Sequence, residues 1–391
     1  MVVSLGLVTA CRGGDGSELR SASSLVVEAA APTTTAGTPT STGSTPTRSS
    51  TSTSTSTTTT STTVTPTSTT TTTSSVPAYS GEDAVRLPGV RLRRPDGFAR
   101  HEPLPAWQGD APLTGLPIDA ATRSRPALAV KVDNSPQARP QWSLNQADIV
   151  IEENVEGITR FVAVFHSRAP DRVGPVRSAR TTDPDLLAAL NRPILAFSGG
   201  NPYVTSYVRG AHALGWLSNL SAQLADCYWR SGLRSSPHDL MLDPLCAWES
   251  TTYAGPARPL FEHGHTETPV GGEPELEYSV RMYGLDVEWA WDAELGRYLR
   301  RQAGDWHVDA FGEVIAAVNV VELDVVYRTS AADPLSPEAD TVGSGRAVVH
   351  RDGISIDGWW SRDDRFEPFA LTTDDGLPIA LAAGNVFVEL T

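Results

Sequence analysis

The sequence predicts an α+β protein, with an α/β N-terminal part followed by a β-rich C-terminal part. Three observations carry this. Between residues 127 and 209, strand-like alternation is interleaved with helix starts marked by a capping residue and a proline. From about residue 275 the chain changes to short strand-like pieces separated by Asp-Gly turns. Ahead of both, residues 31 to about 80 are nearly all Thr and Ser with scattered Pro, and Arg48 is their one charge. That stretch buries nothing, so it cannot offset the entropy of ordering.

The elements follow in order. Residues 127–132 alternate, with Leu128, Val130 and Val132 on one side and Ala129, Lys131 and Asp133 on the other, which argues a strand. Residues 148–153 form a second, with Ile149 and Ile151 opposite Val150 and Glu152. Residues 159–166 are apolar on both faces and read as an interior strand; residues 194–198 form a fourth. Asp183-Pro184 reads as the cap and first position of a helix reaching Leu190, and Asn201-Pro202 repeats that signal ahead of residues 203–209. In the C-terminal part, strand-like pieces lie at 278–280, 287–291, 298–301, 314–327, 345–350, 359–360 and 385–390. Asp352-Gly353, Asp357-Gly358 and Asp375-Gly376 supply turns. Trp289, Trp291 and Trp359-Trp360 read as the core of this part; the alternative is a set of exposed rings for stacking on sugars.

The N-terminus gives an address. Leu7-Val8-Thr9-Ala10-Cys11 reads as a lipoprotein signal, with Cys11 as the lipidated residue on the outer face of a bacterial membrane. The ten residues before Cys11 carry no Lys or Arg, so translation is expected to begin upstream. Residues 1–30 are then signal and mature N-terminus, and residues 31–103 a disordered stalk open to O-glycosylation. A flexible coil of ~50 residues spans about 35–40 Å. Two folded parts follow, 104–274 and 275–391. Cys227 and Cys246 remain as an even pair in an exported chain and are expected to form a disulfide worth about 3 kcal/mol, against two buried thiols.

The net charge of −15 argues against a nucleic-acid partner. Lys131 is the single lysine, and Leu128 stands where an S-x-x-K serine would. G-x-x-x-x-G-K-[ST], H-E-x-x-H, C-x-x-C and G-x-S-x-G are absent, so no cofactor is expected. His263-x-His265 has no third ligand at metal spacing, and no metal is expected.

Several motifs recur in a recognisable order. They are Pro112-Leu113-Thr114-Gly115, then Arg125-Pro126-Ala127-Leu128-Ala129-Val130-Lys131-Val132-Asp133-Asn134, then Ala138-Arg139-Pro140-Gln141. Gln146-Ala147-Asp148-Ile149-Val150, Val155-Glu156-Gly157, Thr159-Arg160-Phe161 and Gly174-Pro175-Val176-Arg177-Ser178-Ala179-Arg180 continue the series. Gly343-Ser344-Gly345-Arg346 and Arg351-Asp352-Gly353 close it. The chain from Pro112 onward resembles the YerB-like lipoproteins over most of its length. The resemblance implies a two-part body behind a lipid anchor, in a three-layer β-β-α arrangement. It implies no activity, because the family's function is unknown. One departure is Asp239 after His238, where relatives carry an asparagine.

The polar residues gather around the first strands. Lys131 and Asp133 share a strand face, Asn134 follows, and Glu152 lies on the polar side of the next strand. Arg139, Glu156, Arg160, Arg177, Ser178 and Arg180 come from flanking segments, the last three just before the helix at Asp183. Guanidinium groups beside a helix start suit a carboxylate or phosphate. Gly199, Gly200 and Asn201, between a strand and a helix, suit a second anion-receptive turn. His238 beside Asp239 could orient a base. Three roles stay open for this group: an internal ion-pair network, a site for an anionic small molecule, peptide or glycan fragment, or acid–base chemistry. In the last, Asp133 and Glu152 would be the pair of a cell-wall glycan hydrolase. A non-catalytic scaffold for another envelope protein is the remaining alternative. Membrane attachment through the lipid, and a cell-wall component or envelope protein, are the expected partners.

Overall fold

The computed structural model describes residues 100–264 and 271–391; Cys11 and residues 31–99 of the stalk lie outside them. In chain order, α1 (Ala120–Arg123) precedes β1 (Leu128–Asp133). The hairpin of β2 (Ile149–Val155) and β3 (Ile158–Phe165) follows, then α2 (Thr182–Leu187), β4 (Ile194–Phe197), α3 (Pro202–Ala213) and β5 (Ser218–Ser221). A short hairpin, β6 (Tyr228–Arg230) and β7 (Leu240–Leu242), leads to α4 (Pro244–Glu249). The remainder is strand: β8 (Glu273–Pro274), β9 (Glu277–Met282), β10 (Leu285–Asp292), β11 (Arg297–Gln302), β12 (Asp305–Trp306), β13 (Ala316–Ala317), β14 (Asn319–Leu323), β15 (Tyr327–Ser330), β16 (Asp333–Ala339), β17 (Gly343–Arg351), β18 (Ile354–Arg362), β19 (Ala370–Thr373) and β20 (Val386–Leu390). The run read as one piece at 314–327 is thus split between β13, β14 and the start of β15.

One eleven-stranded sheet runs through both parts, in the order β19-β18-β17-β14-β20-β2-β3-β1-β4-β5, with β8 against β18. Its centre is β20, parallel to β2 on one side and to β14 on the other. The register places Glu152 beside Glu389 and Glu389 beside Glu322, three glutamates in a row across adjacent strands. Strands β1, β4 and β5 are parallel, so the loops after β1 and β4 emerge at the same end.

Alternation along the strands divides the core in two. Ala129, Ile149, Ile151, Val162, Val164, Val386 and Val388 face α2 and α3, whose Leu186, Leu187, Val204 and Val208 cover them. Leu128, Val130, Val150, Phe161, Ala163 and Phe387 face the other way, beneath Val280, Val287, Trp289 and Tyr298 of a second sheet built from β9 to β12. Full burial stabilises each such side chain by ~1.5–3 kcal/mol. The layers are therefore small sheet, large sheet and helices, the three-layer β-β-α arrangement that the resemblance implies.

Local signals fix the ends. Asn201 caps α3, its side chain accepting from the Val204 N–H with Pro202 next in line. Gly215, at φ +78, turns the chain after α3, where a Cβ would lie 2.2 Å from the His101 carbonyl oxygen. Cys227 and Cys246 form the expected disulfide, tying the start of the β6 hairpin to α4. Trp289 and Trp360 are core residues as expected, while Trp359 is 45% exposed and bonds Asp374. Among the described residues no helix is long and apolar enough to cross a membrane.

Candidate functional site

The residues expected to form one group belong to opposite faces of the large sheet. Lys131, Asp133 and Arg160 lie on the helix-side face, with Asp133 opposite Arg160 across the β1/β3 pair. Glu152 points to the small-sheet side, with Thr159 and Asn134 as its partners. The carboxylate that meets Lys131 is its neighbour, Glu153, which shares its side of β2 with Ile149 and Ile151. Asp133 and Glu152 thus reach separate surroundings, both with side chains fully buried. A shared scissile bond between them, as an acid–base pair needs, is not available in this geometry.

On the helix side the base of the cluster is sealed. Lys131 bonds Glu153, and its Nζ lies 2.7 Å from Asp183 Oδ1; all three side chains are at most 1% exposed. Burial pushes the Glu153 carboxyl up, Lys131 opposes this, and Asp183 adds to it. Asp183 is not the cap of α2. The helix begins at Thr182, and the Asp183 carboxylate turns back to accept from the Arg180 N–H. A helix of six residues whose first-turn acid is already bonded leaves no receptive N-terminus.

The outer part is more open. Asp133 Oδ2 holds two groups, His238 Nδ1 at 2.8 Å and Arg177 Nε at 3.0 Å, while the Ser135 hydroxyl lies 3.1 Å from the same ring nitrogen. Burial raises the Asp133 carboxyl, but the Ser135 N–H, His238 and Arg177 outweigh it, and the net direction is down. Ser135 and Asp133 meet the same nitrogen of His238, so this is not a serine–histidine–aspartate relay, which uses both ring nitrogens. Arg180 bonds Glu156, and Arg160 donates to the Ser178 carbonyl at 3.3 Å. Arg160 is 2% exposed and has no carboxylate within ion-pair distance among the described residues. Burial first, then Arg180 and Arg177, pull its guanidinium down to about 10, so it stays charged at neutral pH.

Gly199 joins this edge through its carbonyl, which accepts from Ala179, and Asn201 spends its side chain on Val204 and the Ala332 carbonyl. Gly200 is exposed. Asp239 pairs with Arg230 rather than serving His238. His263 is mostly enclosed and hydrogen-bonded to Ala382, and His265 lies outside the described residues.

The small-sheet side carries a second network. Arg300, fully buried on β11, donates to Glu152, and its Nε stands 4.0 Å from Glu389. Asn134 bonds Gln302, Gln141 bonds His307, and Trp289 Nε1 donates to Glu389 at 3.2 Å. Arg139 closes the rim by donating to the Asn134 carbonyl at 2.9 Å. Burial and Glu152 raise the Glu389 carboxyl well above the usual range, with Arg300 opposing. With Asn134, Gln141, Glu152, Arg300, Gln302, His307 and Glu389 all buried, the network fastens the two sheets together.

Comparison with known proteins matches this body from end to end. Residues 113–256 match the family described as "Protein of unknown function (DUF3048) N-terminal domain", and residues 275–388 match its C-terminal domain. The chain belongs to the DUF3048 family. A curated relative from Bacillus subtilis (strain 168), named "Putative lipoprotein YerB", is 39% identical over 294 residues, covering 72% of this chain and 85% of the relative. The crystal structure of YerB protein from Bacillus subtilis superposes with a TM-score of 0.62 at 26% identity, covering 73% of this chain and 97% of that one. For this DUF3048 protein, then, the fold and lineage are fixed, and the chemistry rests on its own side chains. Glu153, Arg300 and Glu389 are the site residues that reading the sequence misses. Glu153 had a signal, a charge on the parity of Ile149 and Ile151. Arg300 and Glu389 had none, because nothing local tells that β11 and β20 meet β2.

Proposed function

We propose that this DUF3048 protein is a lipid-anchored, extracytoplasmic envelope protein, tethered through Cys11, that binds the anionic group of a small molecule, peptide or glycan fragment at Arg160, Arg177 and Arg180. The observation that carries the binding reading is Arg160. A buried guanidinium without a carboxylate partner is costly, and here two more guanidiniums stand beside it. Asp133 and Glu156 pair directly with Arg177 and Arg180 and act on Arg160 only from beyond ion-pair distance, so three guanidiniums share two carboxylates. A carboxylate or phosphate at the half-open rim would supply the missing charge through charge-assisted bonds. His238, its Nδ1 committed to Asp133, has no hydrogen-bond partner at Nε2 among the described residues and borders the same rim. The anchor reading is supported by the signal-like residues at Cys11 and by the relative's name.

Titration with inorganic phosphate, followed by calorimetry and by the rise in Tm, tests the site. Phosphate is expected to stabilise the protein, and Arg160→Gln to weaken binding by about tenfold or more, the scale of one hydrogen bond to a charged group. No phosphate or carboxylate response, or an unchanged affinity in Arg160→Gln, would remove the reading.

A further inference from the structure

A second concavity, lined by none of Arg160, Arg177 and Arg180, lies between the start of α2, the β15/β16 hairpin and the first residues of β17. Its volume is about 210 Å³. At ~30 Å³ per water that is room for about seven waters, or one sugar ring or amino acid. The charged groups on its wall come from three elements: Asp185 of α2, Arg328 of β15, and Glu338 with nearby Asp340 at the end of β16. Two of the carboxylates are matched. Asp185 is paired with Arg365, and Asp340 with Arg328.

Glu338 is not matched. It has no Lys, Arg or His within ion-pair distance among the described residues, and hydroxyls of Thr181 and Ser330 are its hydrogen-bonding neighbours. Its Oε2 is buried with no hydrogen-bond partner. Thr341, also on the lining, is 1% exposed and its Oγ1 is likewise without a partner. Both unpartnered atoms can accept, and the charges that act on Glu338 are the carboxylates Asp185 and Asp340, while the buried Arg362 behind Thr341 donates to main-chain carbonyls, that of Thr341 among them. The complement is a group with several donors, no acceptor and one positive charge, which describes an ammonium. A hydroxyl would fill the bonds and leave the charge; a carboxylate or phosphate would add to it.

We propose that this cleft binds a small primary amine, an amino sugar or amino acid in size, with its ammonium seated between Glu338 and Thr341. The cleft shares no lining residue with the anion rim, although Thr181 on its wall follows Arg180 in the chain. Without the amine, burial pushes the Glu338 carboxyl up, and Asp185 and Asp340 push it further, against the Thr181 hydroxyl. The cation requires the ionised carboxylate, so affinity rises with pH while the amine stays protonated.

Calorimetry on the full chain with D-glucosamine, D-glucose and ethanolamine tests this. Glucose keeps the ring and replaces the ammonium by a hydroxyl. Glucosamine is expected to bind about tenfold or more tightly than glucose, the scale of a charge-assisted bond. Glu338→Gln, a near-isosteric change, should erase that preference, and Thr341→Val should weaken both amines several-fold. Affinity for ethanolamine should increase between about pH 5 and pH 7. Equal binding of glucosamine and glucose, an undiminished preference in Glu338→Gln, or no heat from either amine at millimolar concentration overturns the proposal. A fall in affinity with rising pH does so as well.

Discussion

Glu389 shows how much a single side chain can owe to its surroundings. It stands in register with Glu152, under Trp289, with Arg300 as the nearest cation. Two buried carboxylates sharing one guanidinium cannot both ionise cheaply, and its carboxyl is accordingly raised well above the ordinary carboxylate range. The linkage has a definite sign. A carboxyl raised on folding stabilises the fold fully below its unfolded value, and this is lost as pH climbs toward the folded value. Glu389→Gln, which cannot ionise and still presents an acceptor to Trp289, is therefore expected to gain on the parent as pH rises above about 5. Urea denaturation of both proteins at several pH values measures the difference; a constant offset would show that Glu389 does not titrate. The sequence made Glu152 visible as a polar break in an apolar strand. It could not show Arg300, which sits in the half-polar run Arg297–Gln302 and is buried only because another sheet lies above it.

At the scale of elements, periodicity and punctuation were informative. The alternation at Leu128, Val130 and Val132 and the run through Phe161 to Phe165 became β1 and β3 within a residue or so at each end. Asn201-Pro202 became the start of α3, which runs on to Ala213. Its cap is separable from the rest of the structure. Asn201→Ala is expected to cost about 1 kcal/mol, read as a lowered denaturation midpoint with an unchanged m-value. A change within a few tenths of a kcal/mol would mean that Pro202 and the Ala332 contact set the helix start instead. The same signature misled at Asp183-Pro184, because tertiary charge won. Lys131 and the Arg180 N–H recruit the aspartate, and the helix starts two residues earlier. Asp243-Pro244 carries the signature too and does begin α4, with Asp243 accepting from Cys246. Four-residue β5, Ser218–Ser221, has too little apolar alternation to register from sequence.

For the whole molecule, the division at about residue 275 reads well as a change of texture and poorly as a boundary of stability. The C-terminal part supplies the centre of the large sheet through β20 and the covering sheet above it, and the N-terminal part supplies the helices below. Residues 104–274 expressed alone would leave β2 as an open edge and uncover Val150, Phe161 and Glu152. That fragment is expected to lack a cooperative thermal transition and well-dispersed amide resonances, whereas residues 104–391 keep both. A cooperative 104–274 fragment would show that the first part folds unaided. The position of β20 also sets an order of events during synthesis. Translation delivers Ile149 to Val155 early and their partner, residues 386–390, more than two hundred residues later. At ~5–20 residues per second the half-built sheet waits on the order of tens of seconds for its middle strand. A chain that cannot complete its sheet until residue 390 has left the ribosome remains threadable throughout that interval, the condition that the export proposed above would require.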